Sequence, residues 1–300
     1  MNGEELHALS TEKRNARSLS LDSMSAYEIV QLMNSEDMTV AQAVSKTLPS
    51  IAEAAGLVAG AIRRGGRLIY VGAGTSGRLA LLDASECPPT FGTDEGRVIA
   101  VIAGGDAAVS KAVEGAEDDS EAGERRLREL SVTADDVVVG ITASGRAPFV
   151  TGALRCASES GARTVALSCN ASAKISAIAD VAIEVPTGPE VVTGSTRLKA
   201  GTAQKMVLNM LSTAGMALAG KVYRNYMIAV KPLNRKLVDR ACRILAETAD
   251  VSRDEARRAL DETGMNTMAA FLMLKKGISA GDALKRLSES GDSLRDALGD

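Results

Sequence analysis

The residues of this sequence that could do chemistry are two hydroxyl-bearing glycine loops and a few nearby carboxylates. The first loop, residues 72–77 (GAGTSG), follows the apolar run Leu68–Val71 and precedes a leucine-rich stretch. Such an apolar run is typical of a buried strand, and the leucines predict a helix. A strand, a glycine turn and a helix together aim backbone N–H groups at an anion. The hydroxyls of Thr75 and Ser76 beside Gly77 suit a phosphate monoester, which needs several donors around three oxygens.

A second loop of the same kind follows a later apolar run. It reads Thr142-Ala143-Ser144-Gly145-Arg146 and repeats the hydroxyl, glycine and arginine pattern of residues 75–78. Either loop alone is weak evidence, because serine and glycine are common in ordinary turns. Two such loops at the ends of neighbouring strands would enclose one phosphate group from both sides.

Acid–base chemistry in this chain must fall mainly to carboxylates. His7 is the only histidine, and we expect it to lie in a frayed tail. Glu86 stands near the first loop, where Pro88-Pro89 predict the end of a helix. An acid at that end opposes the helix dipole, which suggests a function. Glu114 and Glu117 share one face of a predicted helix, and spacing leaves open which of them points inward and whether that face is merely solvated.

The third dense stretch is residues 188–199, GPEVVTGSTRLK. Glycine and proline predict a turn, and the hydroxyls predict a cap for the following helix. Arg197 and Lys199 add positive charge at the start of that helix, where the helix dipole is already positive. This arrangement is favourable if an anion is bound there.

Composition narrows the function further. The net charge of −3 argues against a general nucleic-acid binder. The longest apolar run, residues 206–219, is too short to span a bilayer, and the polar first twenty residues predict no signal segment. Four cysteines without CxxC spacing predict the reduced thiols of a cytoplasmic protein, and a zinc site is not expected.

The elements that must position these residues alternate along the chain. Apolar runs at 67–72, 97–103, 136–141, 163–168 and 180–185 are separated by helical stretches at 76–85, 106–130, 147–160 and near 172–178. This alternation predicts an α/β fold with a five-stranded parallel, doubly wound sheet, whose ligand lies at the carboxyl ends of the strands. Capping boxes at Ser25 and Thr39 predict two helices before the sheet, with a kink or break at Pro49. A long buried helix over 198–221 and amphipathic helices beyond it, one starting at a capping box at Ser252, complete the prediction.

The chain closely resembles the N-acetylmuramic acid 6-phosphate etherases of the sugar isomerase (SIS) domain superfamily, over nearly its whole length. The resemblance is most specific at residues 188–205, which match a signature shared with glucokinase regulatory proteins. The other matching segments are TEKRN (11–15), LD-x-MS (21–25), GAGTSGR (72–78), LDASECPPT (82–90), AVEGAEDD (112–119) and ASGR (143–146).

The resemblance implies roles for several of these residues. Glu86 and Glu117 would be the catalytic pair, with Glu86 as the proton donor. It also implies a cytoplasmic homodimer without metal or cofactor, in which the site lies near the subunit interface. The expected binding residues for the sugar phosphate are Thr75, Ser76, Gly77, Thr142, Ser144, Gly145, Arg146, Glu190, Ser195 and Lys199. Many SIS sugar isomerases carry a hydroxyl where this sequence has Ala147.

The resulting prediction is a lyase that converts N-acetylmuramic acid 6-phosphate to N-acetylglucosamine 6-phosphate and D-lactate, in the recycling of cell-wall amino sugars. We expect an N-terminal helical segment (1–57), a SIS domain (58–221) and a small helical subdomain (222–300). The alternatives are a sugar-phosphate-binding regulator without catalysis and a SIS-type isomerase. A dinucleotide-dependent dehydrogenase comes last, because Asp106 is a late candidate for the ribose-binding acid.

Overall fold

The computed structural model describes residues 9–299, so His7 lies outside the described residues. Strands β1–β5 span Leu68–Gly72, Val98–Ile102, Val137–Thr142, Arg163–Ser168 and Val181–Glu184. Helices α1–α12 span Ala26–Ser45, Leu48–Arg63, Gly74–Phe91, Ala107–Ser110, Ser120–Glu129, Pro148–Glu159, Lys199–Leu218, Arg235–Ala249, Arg253–Glu262, Thr267–Lys276, Ala280–Glu289 and Leu294–Leu298. Short 3-10 turns lie at Ser10–Glu12, Ala16–Ser18, Leu21–Ser23, Ala116–Asp118 and Lys174–Ile178.

The five strands form one parallel sheet in the order β2-β1-β3-β4-β5, which confirms the predicted fold class. The chain changes direction across the sheet between β1 and β3, and ligands of such sheets bind at this switch point. The last residue of β1, Gly72, lies beside Ile141 of β3. The loops that follow β1 and β3 are therefore neighbours, as the phosphate hypothesis requires.

Helices cover both faces of the sheet. Alternate residues of β1 enter two different hydrophobic clusters, because successive side chains of a strand point to opposite faces. Leu68 and Tyr70 belong to the cluster formed with α2, α3 and α7. Ile69 and Val71 belong to the cluster formed with α5 and α6. Both faces are thus buried, and this is why the strands read as continuous apolar runs rather than as alternating ones.

The N-terminal helices differ from the prediction at one position. α1 begins at the predicted capping box of Ser25, but the second box, at Thr39, is wrong. Thr39 lies inside α1, where its hydroxyl donates a hydrogen bond to the backbone carbonyl of Glu36. Pro49 does not break a helix either, because it stands in the first turn of α2, where a missing N–H is tolerated.

Helix α3 extends further than the prolines predict. Pro88 and Pro89 lie inside its last turn, and the helix ends only at Gly92, which adopts a left-handed conformation (φ 64°) and donates its N–H to the carbonyl of Pro88. Two glycines set the approach of α3 to the sheet. A Cβ on Gly77 would lie 2.5 Å from Cγ1 of Ile102, and a Cβ on Gly72 would lie 2.8 Å from the backbone nitrogen of Gly77.

The predicted helix over 106–130 is wrong as a single element. The chain forms the short helix α4, a loop, the 3-10 turn Ala116–Asp118 and then α5. Gly115 breaks the helical path with φ 74°, and Asp119 caps α5 by accepting a hydrogen bond from the N–H of Ala122. Glu114 and Glu117 therefore do not share a helix face.

The helices after residue 222 have a hydrophobic cluster of their own, which includes Leu245 and Phe271. α9 begins at the predicted capping box of Ser252. The buried helix predicted over 198–221 is confirmed as α7. The division into three segments at 57/58 and 221/222 stays a prediction. Within residues 9–299, no helix is long and apolar enough to cross a membrane.

Candidate active site

A cavity of about 370 Å³ lies at the carboxyl ends of β1 and β3. Both predicted hydroxyl loops line it, together with the 3-10 turn that carries Glu117 and part of the N-terminal segment. A volume of this size falls in the range of small-molecule sites. The lining residues are Glu12, Ala73, Gly74, Thr75, Ser76, Glu117, Asp118, Ile141, Thr142, Ala143, Ser144, Ala147, Pro148 and Thr196.

The first loop brings the N-terminus of α3 to the cavity. Gly74 begins the helix with φ 50°, a conformation that favours glycine. The first N–H groups of a helix have no partner within it and carry partial positive charge. The buried hydroxyl of Ser76 donates a 2.9 Å hydrogen bond to Oε1 of Gln204 on α7, which fixes the serine side chain at the cavity wall.

The second loop folds tightly over the end of β3. The hydroxyls of Thr142 and Ser144 lie 3.2 Å apart, and Ser144 Oγ also accepts a 3.2 Å hydrogen bond from the N–H of Arg146. Gly145 adopts φ 72°, and a Cβ at this position would lie 2.3 Å from that of Ala173. The turn therefore depends on glycine, and Thr142 and Ser144 line the cavity together with the first loop.

The charged groups of the cavity are carboxylates. Glu117 lines it from its 3-10 turn, and the residue is exposed to solvent. Burial of the carboxyl group raises the pKa of Glu117, and the negative charge of Asp118 raises it further. Among the described residues that line the cavity there is no lysine or arginine. A phosphate bound here would rely on hydroxyls and helix N-terminal N–H groups.

The structure separates the two glutamates that spacing left open. Both side chains are exposed, but Glu117 lines the cavity and Glu114, on the preceding loop, does not. Glu86 lies on an exposed part of α3, ten residues after Ser76 and so roughly 15 Å along the helix axis. The cavity of this chain does not include Glu86.

Several predicted binding residues lie outside the cavity lining. Gly77 packs against the sheet, Gly145 forms the turn, and neither Arg146 nor Ser195 lines the cavity. Glu190 is fully buried, and its carboxylate accepts hydrogen bonds from the N–H groups of Lys199 (3.0 Å) and Ala200 (2.9 Å).

The start of α7 therefore binds one of the protein's own carboxylates, that of Glu190, through backbone N–H groups rather than through the charges of Arg197 and Lys199. Burial raises the pKa of Glu190, and these two hydrogen bonds oppose the rise. The ammonium group of Lys199 is buried as well and forms a 2.6 Å ion pair with Glu36 of α1. Arg197 is exposed.

Sequence reasoning missed three polar side chains of the lining, those of Glu12, Asp118 and Thr196. Glu12 reaches the cavity because the buried side chain of Asn170, just after β4, holds the N-terminal turn. Asn170 Oδ1 accepts hydrogen bonds from the N–H (2.8 Å) and hydroxyl (2.7 Å) of Ser10. Its amide nitrogen donates to the hydroxyl of Thr11 (2.9 Å) and to a carbonyl of the second loop (3.0 Å). The only feature of the sequence that drew attention to Glu12 was the polar run at residues 11–15.

The side chains that a metal site or a dinucleotide site would need are not grouped among the described residues. Across residues 9–299 no three His, Cys, Asp or Glu side chains are grouped as metal ligands would be. Asp106, the candidate ribose-binding acid, is exposed and does not line the cavity. The four cysteines are buried free thiols, and burial raises the pKa of Cys87 and of Cys169 to about 12.

Comparison with known proteins agrees with this architecture. Residues 50–158 match the model of the glucokinase regulatory protein N-terminal SIS domain, and residues 117–214 match the SIS domain model. A phosphoheptose isomerase from Francisella tularensis has the same fold, with a TM-score of 0.50 and 19% identity over 64% of this chain and 98% of that chain. The N-acetylmuramic acid 6-phosphate etherase of Serratia proteamaculans is 55% identical over 98% of this chain and 99% of its own length. The etherase of Pectobacterium atrosepticum is 53% identical over 99% of both chains. This chain belongs to the N-acetylmuramic acid 6-phosphate etherase family.

Proposed function

We propose that this protein is a carbon–oxygen lyase that cleaves the lactyl ether of N-acetylmuramic acid 6-phosphate, giving N-acetylglucosamine 6-phosphate and D-lactate. The observation that carries the proposal is the position of Glu117. Its carboxylate side chain lines the same cavity as the two hydroxyl loops. The etherases at 53–55% identity over nearly the full length support the substrate.

The two loops position the substrate through its phosphate. Thr142 and Ser144 supply hydroxyls, and Ser76 supplies a third when its proton turns from Gln204 to the phosphate. The N-terminus of α3 supplies N–H groups and a favourable dipole. Because these phosphate-binding donors are uncharged, they form no ion pairs with the carboxylates of the cavity, and those carboxylates can contact the sugar. Holding the phosphate in this way fixes the reacting carbons against Glu117, and such positioning lowers the entropic barrier of the reaction.

The chemistry follows from the substrate. Opening of the sugar ring leaves an aldehyde at C1, which acidifies the C2 proton and places the ether oxygen β to the carbonyl. Glu117 takes the C2 proton as a general base. A carboxyl group with a raised pKa suits this step, because it is a stronger base than an ordinary glutamate. The C3–O bond then breaks, lactate leaves, and water adds to the resulting C2=C3 double bond.

Glu86 is the proposed acid that protonates the departing lactate oxygen. It is exposed on α3 in the single chain, so the bound substrate or a second subunit has to cover it during the reaction. We therefore propose that the protein acts as a homodimer with its site near the subunit interface. The reaction as proposed needs neither metal nor cofactor, and we propose that it takes place in the cytoplasm.

The test is incubation of the purified protein with N-acetylmuramic acid 6-phosphate, followed by quantification of D-lactate and of the sugar product. We expect equal amounts of D-lactate and N-acetylglucosamine 6-phosphate. Conversion of an aldose phosphate to a ketose phosphate without lactate would indicate an isomerase. Binding of the sugar phosphate without any turnover would indicate a regulator, and either result would overturn the proposal.

A further inference from the structure

A second cavity, of about 400 Å³, lies at the other end of the sheet from the proposed active site. The segments that precede β1 and β2 form one wall of this cavity. The chain just after α7 and two loops between the C-terminal helices form the other. Five basic and two acidic side chains line it, so it carries a net positive charge.

Lys221 is the unusual residue of this cavity. The side chain is buried, with 8% of the residue exposed, and it forms no hydrogen bond or ion pair within residues 9–299. Burial lowers the pKa of Lys221, although Asp292 and Asp94 attract its charge from a distance. Asp94 itself is bound to a different lysine, Lys231, at 3.0 Å. The ammonium group of this mostly buried side chain lines the cavity without a close partner, and a bound anion would supply one.

The wall of the cavity also carries a hydroxyl without a partner. Thr93 is buried, and its Oγ1 has no hydrogen-bond partner among the described residues. The adjacent backbone is held firmly, because Lys231 Nζ donates a 3.0 Å hydrogen bond to the carbonyl of Thr93. In the same wall, the guanidinium of Arg97 donates to the carbonyls of Gly65 and Gly66, which holds it at the cavity.

We propose that this cavity binds a small phosphate-like oxyanion, separately from the active site. The anion lies beside Lys221 and accepts a hydrogen bond from its ammonium group, with Arg97 adding positive charge nearby. Rotation of the Thr93 side chain, whose hydroxyl is closed to solvent and has no partner among the described residues, brings a second donor to the anion. A tetrahedral dianion fits this set better than a carboxylate, because it offers more acceptor oxygens to several donors arranged around a cavity. The site joins the sheet to the C-terminal helices, so occupation stabilises their contact.

The experiment titrates the purified protein with inorganic phosphate at constant ionic strength by calorimetry and by thermal unfolding. Four proteins are compared: the unaltered chain, Lys221→Met, Thr93→Val and the control Lys275→Met. Lys275 is an exposed lysine of α10, so that control loses the same charge away from the cavity. Repeating the titrations in a Ser144→Ala background separates this site from phosphate bound at the proposed active site.

We expect Lys221→Met to weaken the second phosphate site about 10-fold or more, because a charge-assisted hydrogen bond is lost. Thr93→Val should weaken it several-fold, and Lys275→Met should leave it unchanged. Lys221→Met should unfold no earlier than the unaltered protein without phosphate, since it removes an unpaired buried charge. Phosphate affinity and stoichiometry in Lys221→Met equal to those of the control would overturn the proposal.

A final arm identifies the source of the anion. N-acetylglucosamine 6-phosphate is titrated in the same variants, and a Lys221-dependent component shows that a phosphate ester enters the cavity. Its absence, beside Lys221-dependent binding of inorganic phosphate, shows that free phosphate is the ligand. D-lactate release is a separate measurement, so a failure of the proposed etherase function leaves this test intact.

Discussion

Replacing Glu117 by glutamine tests the proposed general base while leaving the shape of the cavity nearly unchanged. The amide has the volume of the carboxyl group but cannot accept the C2 proton. Loss of general-base help costs about 10²–10⁴ in rate, which corresponds to about 2.7–5.4 kcal/mol of transition-state stabilisation. The matched control is Glu114→Gln, three residues earlier in the same acidic run but exposed and outside the cavity. We expect this control to retain nearly full activity.

The assay follows D-lactate release and, separately, exchange of the C2 proton with deuterated solvent. Glu117→Gln should block both, whereas Glu86→Gln should slow lactate release and still allow exchange, because its proposed role is to protonate the leaving group. Both variants should keep their affinity for the sugar phosphate. Lactate release by Glu117→Gln at the unaltered rate, or an equal loss in Glu114→Gln, would refute the assignment of the base.

The pH dependence gives an independent check. A base must be deprotonated to act, so activity falls as the pH drops through the pKa of Glu117. Because burial and Asp118 raise that pKa, this fall should occur at a higher pH than for an ordinary glutamate. The raised pKa also means that the folded state favours protonated Glu117 and loses stability as the pH rises through it. Glu117→Gln should therefore be at least as stable as the unaltered protein at neutral pH.

Three further predictions concern binding and stability. Ser144→Ala should raise KM by about 10–100-fold with little change in kcat, because one hydrogen bond to a charged phosphate is lost equally in the ground and transition states. An unchanged KM in steady-state assays would show that Ser144 does not bind the phosphate. Asn170→Ala should release the N-terminal turn that carries Glu12, and so raise KM and lower the unfolding temperature. Glu12→Gln should raise KM alone. If Asn170→Ala lowers the unfolding temperature but leaves KM unchanged, the prediction is wrong. Glu190→Gln should lower the free energy of unfolding by about 1–3 kcal/mol, because one backbone N–H of α7 then faces an amide NH₂ instead of an acceptor oxygen. Denaturant titration measures this difference, and equal stability of the two proteins would contradict the prediction.

The parts of this protein that follow from sequence are those set by local patterns. The five strands lie where the apolar runs predict them, because strands buried on both faces of a parallel sheet need apolar side chains throughout. The two hydroxyl loops meet because parallel strands bring their carboxyl ends to one edge. The capping boxes at Ser25 and Ser252 form as predicted, but the matching pattern at Thr39 does not, because a helix already under way satisfies the same hydroxyl.

What sequence could not decide depends on partners far away in the chain. The sequence could not show which of Glu114 and Glu117 lines the cavity, because both would lie on one face of a continuous helix. Gly115, with its positive φ, interrupts that helix, and only Glu117 lines the cavity. Lys199 has its charge satisfied by Glu36, 163 residues away, and thus does not need an external anion.

The N-terminal turn shows the same limit. Glu12 enters the cavity only because Asn170, about 160 residues later, binds the turn beside it. Periodicity and capping rules describe interactions within a few residues, whereas buried polar groups must find hydrogen-bond partners wherever the fold supplies them. Sequence therefore determined the sheet and its loops. Only the tertiary structure decided which charged side chains line the cavity and which form the hydrogen bonds and ion pairs that hold the fold.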